Sequence, residues 1–250
     1  MTSNIFHNLH IKGNPLILYN IWDVGSTKAI EAAGAKAIAT GSWSVAAANG
    51  YKDGESLPFD LVLENIERIV SCTELPVSLD FEGGYTDNNE ELAKNIKKLL
   101  LLNVAGINFE DQKVGSGDIY STEIQAQRIN TIRNTADTQS KPLFINARTD
   151  LFLKESRKEN HATLLTEAIN RSKAYHKAGA NGFFAPGLTE ASLIKKLCEE
   201  SVMPVNIMVN TDTPDIKTLK SLGVARISYG PTPYLNLMTA LQQKAEVILS

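Results

Sequence analysis

Several features that define other protein classes are absent from this chain of 250 residues. Cysteine occurs only at Cys72 and Cys198, so no disulfide framework is expected, and both thiols are predicted to be reduced and to face the core. The longest aliphatic run, LLLL at 99–102, is far too short to span a bilayer. No basic patch is interleaved with aromatic residues and the net charge is −3, so nucleic acid is not an expected partner.

A leader-like pattern is also missing from the N-terminal residues MTSNIFHNLHIKGNP, because no basic stretch is followed by an apolar one. We therefore expect a soluble, cytoplasmic protein with no membrane partner. The remaining composition, 43% hydrophobic and 21% charged residues, is that of an ordinary globular chain. No tract rich in Ser, Gly or Pro divides it, so residues 1–250 are predicted to form one domain.

Short apolar runs alternate with longer segments whose apolar residues lie three or four positions apart, as in helices. The eight runs are LILYN (16–20), KAIAT (36–40), PVSLD (76–80), GINFE (106–110), PLFIN (142–146), GFFA (182–185), PVNIM (204–208) and ARISY (225–229). Thr122 with Gln125 has the spacing of a capping box, and Thr189 is placed to cap the helical segment that follows it.

Near-continuous apolar strands joined by helices predict a parallel sheet that is covered on both faces. Eight such units in 250 residues match the size of a single (β/α)8 TIM barrel, an α/β fold, which is the predicted architecture. An open, doubly wound sheet is the alternative. A GxGxxG motif after the first strand would favour it, and the segment NIWDVGSTKA has none.

Polar side chains collect where the predicted strands end, whereas the helix-to-strand joints carry mostly Ala, Gly and Val. In chain order these strand-end residues are Asn20, Trp22, Asp23, Thr40, Gly41, Ser42, Trp43, Ser44, Asp80, Glu82, Glu110, Asp111, Asn146, Arg148, Asn206, Asn210, Ser228 and Tyr229. Because active sites lie at the carboxyl ends of barrel strands, we expect these residues to surround one mouth.

Three carboxylates in this set, those of Asp80, Glu82 and Glu110, converge with no histidine or cysteine. Asp80 and Glu82 are two positions apart, so on an extended chain they point the same way and need a cation or a proton to offset their charges. Oxygen ligands alone favour Mg²⁺, with Asp80 as direct ligand and Glu82 and Glu110 acting through water. The alternative is that Asp80 and Glu110 cap helices or pair with nearby lysines.

Arg148, in the motif NARTD, suits a bidentate grip on a substrate carboxylate. A salt bridge to Glu110 or Asp111 is its alternative role, and the two roles are compatible. The turn GSWS at 41–44 offers backbone N–H groups to an anion, and the polar loop after it places Asp53 within reach of the mouth.

Taken together, these stretches resemble the isocitrate lyase/phosphoenolpyruvate mutase superfamily, in its carboxyvinyl-carboxyphosphonate phosphorylmutase-like branch. The matching pieces are NIWD, AIATGSWSVAAANGYKDGE, PVSLDFEGGY, GINFED and NARTD, in the family's order. The resemblance implies a Mg²⁺-dependent (β/α)8 barrel, usually tetrameric, whose last helix is often exchanged between subunits. It also implies chemistry on a C–C or P–C bond next to a 2-oxo carboxylate.

The resemblance also assigns roles to residues. Asp80 matches the direct ligand of Mg²⁺, for which Mn²⁺ is a substitute, and Glu82 and Glu110 match residues that hold metal-bound waters. The candidate substrate-binding residues are Trp22, Gly41, Ser42, Trp43, Arg148 and Asn206, with the backbone of Ser42 and Trp43 assigned to the substrate carboxylate. The candidate catalytic residues are Asp53, Lys113 and Arg148. Many relatives have Ser where this chain has Gly41.

The loop after the fourth strand, EDQKVGSGDIYST, departs from the family's patterns. Lyases that act on isocitrate or methylisocitrate carry a Lys-Lys-Cys-Gly-His type loop whose Cys is the catalytic acid, and this loop has neither Cys nor His. The mutase and hydrolase branch uses a Lys and an Asn-Ser pair, and this loop has Lys113, Ser116 and Ser121 without the Asn. Its glycines would still allow a mobile lid.

The leading hypothesis is a lyase that cleaves a C–C bond in a small 2-oxo or 2-hydroxy carboxylate through a metal-stabilised enolate. The alternatives are P–C bond chemistry on phosphonopyruvate or phosphoenolpyruvate, and a barrel that binds a carboxylate without turning it over. A phosphosugar-binding barrel ranks lower, because the last two strands offer only Gly230 to a phosphate. The expected partners are a small carboxylate and further copies of the chain, in a dimer or tetramer.

Overall fold

Eight parallel strands form the centre of the protein in a computed structural model that describes residues 2–250. The strands are β1 (Leu16–Leu18), β2 (Ile38–Ala39), β3 (Val77–Asp80), β4 (Gly106–Glu110), β5 (Phe144–Arg148), β6 (Gly182–Phe184), β7 (Val205–Met208) and β8 (Arg226–Ser228). They pair in the order β1-β8-β7-β6-β5-β4-β3-β2. The remaining edge is bridged where Ile21 N–H donates to Ala39 O at 2.9 Å and Gly41 N–H donates to Ile21 O at 3.1 Å. The predicted (β/α)8 barrel is confirmed.

Helices separate the strands and cover the outside of the barrel. They are α1 (Thr2–Asn8), α2 (Val24–Ala32), α3 (Ser42–Ala48), α4 (Phe59–Ser71), α5 (Asn89–Leu101), α6 (Thr122–Thr138), α7 (Leu151–Lys154), α8 (His161–Lys177), α9 (Ala191–Glu200), α10 (Ile216–Ser221) and α11 (Thr232–Leu249), with a short 3₁₀ turn at Lys158–Asn160. In α4 the buried residues are Val62, Ile66 and Ile69, three or four apart, so one stripe of the helix packs on the sheet.

Strand β4 shows how the barrel separates its polar interior from the hydrophobic core between the strands and the helices. All five of its residues are buried. Ile107 and Phe109 point outward and pack with helices in the main hydrophobic core. Asn108 and Glu110 alternate with them and face the barrel interior, because successive side chains of a strand point to opposite sides. The polar residues of the strands are therefore directed toward one shared space.

The amino end of the barrel is closed by α1 and the residues that follow it. Phe6 is fully buried, and its ring meets that of Phe144 edge to face. His10 stacks on Phe144 with ring centroids 4.1 Å apart, and its Nδ1 donates to Phe6 O at 2.8 Å. Burial lowers the pKa of His10 to about 3, with a further contribution from the positive charge of Arg226.

Two helix starts differ from the sequence prediction. Helix α6 is capped by Ser121, whose Oγ accepts the Ile124 N–H at 3.3 Å, so Thr122 is already the first helical residue. The Gln125 side chain donates instead to Glu110 O at 2.8 Å, which ties the helix to the end of β4. Helix α9 begins at Ala191 after Glu190, and the cap predicted for Thr189 is wrong.

Both cysteines are free thiols, as predicted from the sequence, but only one of them is buried in the core. Cys198 is buried on α9, whereas Cys72 follows the last turn of α4 and is half-buried. Helix ends lie near solvent, and this explains the difference. Among residues 2–250, no helix combines the length and apolar character that crossing a bilayer requires.

Helix α11 lies against the barrel mainly by its first turn. Pro233 is its one buried residue within the described chain, while Leu241, Val247 and Leu249 are exposed. A groove between α2 and α11 is lined by residues of both helices and by Trp22, which precedes α2. The predicted exchange of this helix between subunits is a property of an assembly and stays a prediction.

Candidate active site

A cavity of about 170 Å³ opens at the carboxyl ends of the strands. Its polar lining includes Asn20, Ser42, Asp53, Asp80, Asn108 and Arg148. These residues come from the ends of several different strands and from the loops that follow them, where barrel enzymes carry their chemistry. Six of the residues predicted from the sequence for substrate, metal or catalysis therefore share one cavity, namely Gly41, Ser42, Trp43, Asp53, Asp80 and Arg148.

Asp80, at the end of β3, has one carboxylate oxygen without a hydrogen-bond donor. Its Oδ2 accepts the Ser42 N–H at 3.1 Å, and its own N–H donates to Thr40 Oγ1 at 2.9 Å. Its Oδ1 is buried and has no partner among the described residues. A buried carboxylate oxygen left unpaired costs about 1–3 kcal/mol or more, so this atom fits a position beside a cation.

The Glu82 carboxylate, expected to act on the ion through water, contacts neighbouring groups of the protein through both oxygens. Its Oε1 accepts the Gly54 and Glu55 N–H groups at 3.1 and 2.9 Å, and its Oε2 accepts the Tyr85 hydroxyl at 2.9 Å. The backbone at Glu82 is left-handed, with φ of 50°, so the strand's alternation ends before this residue. Burial, with the nearby negative charge of Asp80, raises the pKa of Glu82 to about 7.

Glu110 and Arg148 form a buried ion pair at the ends of β4 and β5. Arg148 Nη1 lies 2.8 Å from Glu110 Oε2, and Arg148 also donates to both carboxylate oxygens of Asp150 at 2.6 and 3.0 Å. Burial raises the pKa of Glu110, against the effect of the guanidinium. Burial alone would lower the pKa of Arg148, and the two carboxylates outweigh it and raise that pKa.

The alternative role of Arg148 as a salt-bridge residue is confirmed for Glu110 and is wrong for Asp111. Asp111 is buried on the helix side, where its Oδ2 accepts from Arg171 Nη1 at 3.0 Å and from the Tyr175 hydroxyl at 2.9 Å. Neighbouring residues on a strand point to opposite sides, so Glu110 faces the barrel interior while Asp111 faces the surrounding helices.

The start of α3 offers fewer backbone donors than the turn sequence indicated. The Ser42 N–H is already used by Asp80 Oδ2. The Trp43 N–H, which is also in the first turn, donates to no residue within 2–250. The Trp43 N–H at this helix N-terminus therefore remains for an anion in the cavity.

Asp53 lies at the rim of the cavity, in the loop before α4. Its Oδ1 accepts the Ser42 hydroxyl at 3.4 Å. Although the side chain is largely exposed, partial desolvation raises the pKa of Asp53, and the charge of Asp80 raises it further. A carboxyl group with a raised pKa beside a cavity is suited to hold or transfer a proton.

Five predicted site residues do not line the cavity: Glu82 and Glu110, described above, and the three residues Trp22, Lys113 and Asn206. Trp22 packs edge to face on Tyr234, with ring centroids 5.0 Å apart, and lines the groove beside α11. The Lys113 ammonium lies 5.4 Å from the centroid of the Tyr120 ring. Asn206 is buried in the barrel interior, and Met208, two residues further along the same face of β7, reaches the cavity instead.

The sequence reasoning missed several residues of the cavity wall. One side is apolar and consists of Leu153, Phe184, Met208 and Pro231. Asn108 was missed although it lies two residues before Glu110 and so faces the same interior. Asp150 was missed although it follows Arg148 by two positions in NARTD. Alternate residues of a strand point to the same side, so the position two residues before Glu110 could have been predicted to face the cavity.

The donor set fits a hard divalent cation that keeps most of its waters. Within residues 2–250, no group of three or more His, Cys, Asp or Glu side chains is placed to hold a metal ion directly. Mg²⁺ is commonly bound through one or two carboxylates with water completing its shell, and the unpaired Oδ1 of Asp80 provides such a ligand.

Comparison with known proteins gives consistent matches over nearly the whole chain. The family model described as phosphoenolpyruvate phosphomutase matches residues 6–249. An uncharacterized protein of Mycobacterium tuberculosis (strain ATCC 25618 / H37Rv) is 33% identical over 231 residues, which cover 92% of this chain and 83% of that protein. The 2-methylisocitrate lyase of Escherichia coli (strain K12) is 28% identical over 245 residues, which cover 94% of this chain and 79% of that enzyme.

A solved structure extends the likeness to the fold. The crystal structure of a candidate phosphonomutase from Burkholderia cenocepacia J2315 is 43% identical to this chain. The two superpose with a TM-score of 0.95, and the match covers 98% of this chain and 97% of that one.

Proposed function

Because this chain belongs to the isocitrate lyase/phosphoenolpyruvate mutase superfamily, we propose that it is a Mg²⁺-dependent lyase that cleaves a C–C bond in a small 2-oxo or 2-hydroxy carboxylate. Members of the superfamily are lyases or mutases that act on small carboxylates. The observation that carries the proposal is the buried, unpaired Oδ1 of Asp80 in a cavity that also holds Arg148 and Asp53.

Asp80 would hold Mg²⁺, or Mn²⁺ in its place, with Glu82 and Glu110 acting through water. The ion would supply positive charge beside the substrate oxygens on which negative charge grows during bond cleavage. Arg148 is held in place by Glu110 and Asp150, so its guanidinium is oriented before a carboxylate arrives. The free Trp43 N–H is a second anchor for that carboxylate.

Proton transfer is assigned to Asp53, whose raised pKa favours the protonated form more than usual for an aspartate. The apolar wall made by Leu153, Phe184 and Met208 limits the water that reaches the reacting carbon. Lys113 remains a catalytic candidate through movement of the loop that carries it, and Asn206 and Trp22 act behind the cavity wall.

P–C bond chemistry is the second candidate, since the matching family model is described as phosphoenolpyruvate phosphomutase. The charge of the cavity favours the carboxylate reading. A phosphonate dianion brings more negative charge than a carboxylate, and among the described residues that line the cavity Arg148 is the one cation, already paired with two acids.

The proposal also includes a cytoplasmic homo-oligomer, a tetramer or a dimer. The exposed apolar residues of α11, among them Leu241 and Val247, support exchange of this helix between subunits. Light scattering at several protein concentrations would test the oligomeric state.

The test of function is a substrate panel. The chain is incubated with Mg²⁺ and a series of 2-oxo and 2-hydroxy dicarboxylates, and release of pyruvate or glyoxylate is followed. Phosphonopyruvate is included, and its conversion in place of the others would favour P–C chemistry. Asp80→Ala should abolish turnover, and wild-type turnover by this variant would overturn the metal assignment. Mg²⁺-dependent binding of oxalate without turnover across the panel would identify a carboxylate-binding barrel.

A further inference from the structure

An arginine lies inside the barrel beneath the cavity floor. Arg226, on β8, is 1% exposed. Its Nη2 donates to Asn108 Oδ1 at 3.0 Å, while its Nε and Nη1 are buried and have no partner among the described residues. Within residues 2–250 it has no acidic group at salt-bridge distance, so Asn108 is its one side-chain acceptor in that part of the chain.

This contact fixes which way the Asn108 amide points. A guanidinium carries only donors, so the atom of Asn108 that faces Arg226 must be the carbonyl oxygen. Asn146 Nδ2 donates to the same oxygen at 2.9 Å. With both lone pairs of Oδ1 occupied, the amide N–H₂ group is turned to the opposite side. Asn108 lines the cavity, and its Nδ2 donates to no residue within 2–250.

We propose that Asn108 donates a hydrogen bond from its side-chain amide to an oxygen of the bound carboxylic acid, and that Arg226 is the positioning residue that turns the amide toward the cavity. The inference rests on the proposed function, which supplies the acid. It adds a neutral donor on β4 to Arg148 and the Trp43 amide, so the acid is bound from three sides of the mouth.

The hydrogen bonds below Asn108 also fix the orientation of the neighbouring amides. Asn146 also donates to Asn206 Oδ1 at 3.0 Å, and Asn206 Nδ2 donates to Ser228 Oγ at 3.2 Å. Gly182 is required beside it, because an added Cβ would lie 2.7 Å from Asn146 Oδ1. Each amide thus has one orientation: Arg226 requires the Asn108 oxygen, that oxygen requires the Asn146 N–H₂, and the Asn146 N–H₂ requires the Asn206 oxygen.

Arg226 also strengthens the donor electrostatically. Burial lowers the pKa of Arg226 to about 9, so the guanidinium is still charged at neutral pH. A positive charge behind the carbonyl oxygen polarises the amide and makes its N–H₂ a better donor to an anionic oxygen. A neutral donor at this point adds no further charge to a site that already contains Arg148.

The experiment measures oxalate binding by calorimetry in the presence of Mg²⁺, with thermal unfolding of each variant alongside. Asn108→Leu should weaken oxalate binding at least tenfold. Arg226→Met should weaken it by a similar factor, because the remaining partner, the Asn146 amide, can present either its oxygen or its N–H₂ group and so does not fix the direction of Asn108. The double variant should bind no more weakly than Asn108→Leu, since both changes remove one interaction.

A matched control is Arg133→Met. Arg133 is another partly buried arginine that donates to Gly179 O, Leu143 O and Asn181 Oδ1 at the amino ends of the strands. Its loss should lower the melting temperature without changing the oxalate affinity. A control variant that weakens binding as much as Arg226→Met would show that general destabilisation is the cause and would overturn the positioning role.

Wild-type affinity of Asn108→Leu for oxalate would overturn the inference while leaving the proposed function in place. A wild-type chain that binds no oxalate with Mg²⁺ overturns the proposed function and the ligand of Asn108 with it. The amide orientation is decided separately by Asn108→Asp without ligand. This variant keeps the acceptor for Arg226 and should melt well above Asn108→Leu, and equal melting of the two would overturn the orientation.

Discussion

Glu110 and Arg148 are direct partners in the β4–β5 ladder, and their side chains meet across it with Nη1 and Oε2 2.8 Å apart. Register alone places the two charges beside each other, so the ion pair is a consequence of how the two strands align. Asp150 then holds the other edge of the guanidinium. The arginine that faces the cavity is thereby restrained on two sides by buried acids.

Arg148→Met should impair both stability and binding. Removing the guanidinium leaves Glu110 and Asp150 buried without a counter-charge, and breaking such a pair costs about 3–5 kcal/mol. Urea unfolding should show this loss, and calorimetry with Mg²⁺ and oxalate should show no binding. Arg148→Lys keeps the charge but not the bidentate contact, so it should retain more stability than affinity. Unchanged oxalate affinity in both variants would contradict the assigned role.

Mg²⁺ should raise the melting temperature of the protein through Asp80. An ion present at 100 times its Kd stabilises the folded state by about 2.7 kcal/mol. The shift should disappear on chelation and should be absent in Asp80→Asn, which keeps the size of the side chain but removes its charge. Asp60→Asn, at an exposed acid of α4, is the matched control and should keep the shift. A full shift in Asp80→Asn would exclude this carboxylate as the ligand.

Two glycine substitutions should give opposite results. At Gly41, whose φ is −121°, an added Cβ would meet its nearest atoms at 3.5–3.7 Å, so Gly41→Ser should be tolerated and would add a hydroxyl to the cavity. At Gly84, with φ of 93°, a Cβ would lie 2.6 Å from Leu92 Cδ1. Gly84→Ala should therefore lower the unfolding free energy by at least about 1 kcal/mol. Chemical denaturation of both variants provides the comparison.

His10 should make the protein less stable in mild acid. Its pKa is about 3 in the folded protein, below the unfolded value of 6.5, so between these values the unfolded chain binds a proton that the folded chain does not. Stability from this group is complete above pH 6.5 and falls as pH decreases, by up to about 1.4 kcal/mol per pH unit.

Urea unfolding at pH 5 and pH 7 would measure this slope. His10→Gln should reduce the difference between the two pH values relative to the wild-type chain. His176→Gln, at an exposed histidine of α8, controls for the loss of one imidazole. An unchanged difference in the His10 variant would mean that the ring is not buried in its neutral form.

The fold was predictable because the barrel repeats one signal eight times. Each observed strand overlaps the apolar run that predicted it. One strand, β5, extends beyond the end of its run. Strand β5 continues to Arg148, two residues beyond the predicted end, because the partner strand β4 extends to Glu110 and offers hydrogen bonds to that point. The end of a strand depends on hydrogen bonding to its neighbour, and the local sequence of one strand does not contain this information.

The position of a site residue was predictable where strand periodicity holds and was not predictable beyond the end of a strand. Asp80 and Arg148 are the last inward-facing residues of their strands, and both reach the cavity. Glu82 lies past the end of β3, in left-handed backbone, and its carboxylate binds loop amides instead. Asn206 was assigned to the cavity although β7 has one more inward position, which Met208 occupies.

The hydrogen bonds from Gly54 and Glu55 to Glu82 have a mechanical consequence. They tether the loop that carries Asp53 to the chain just after Asp80, so the proton-transfer group and the proposed ion ligand belong to one stiff unit. Under the proposed function, a lid formed by the loop after β4 would move without altering the spacing between these two carboxyl groups. Substrate exchange and catalytic alignment would then be separate degrees of freedom, and a change in the lid could alter selectivity without disturbing the chemistry beneath it.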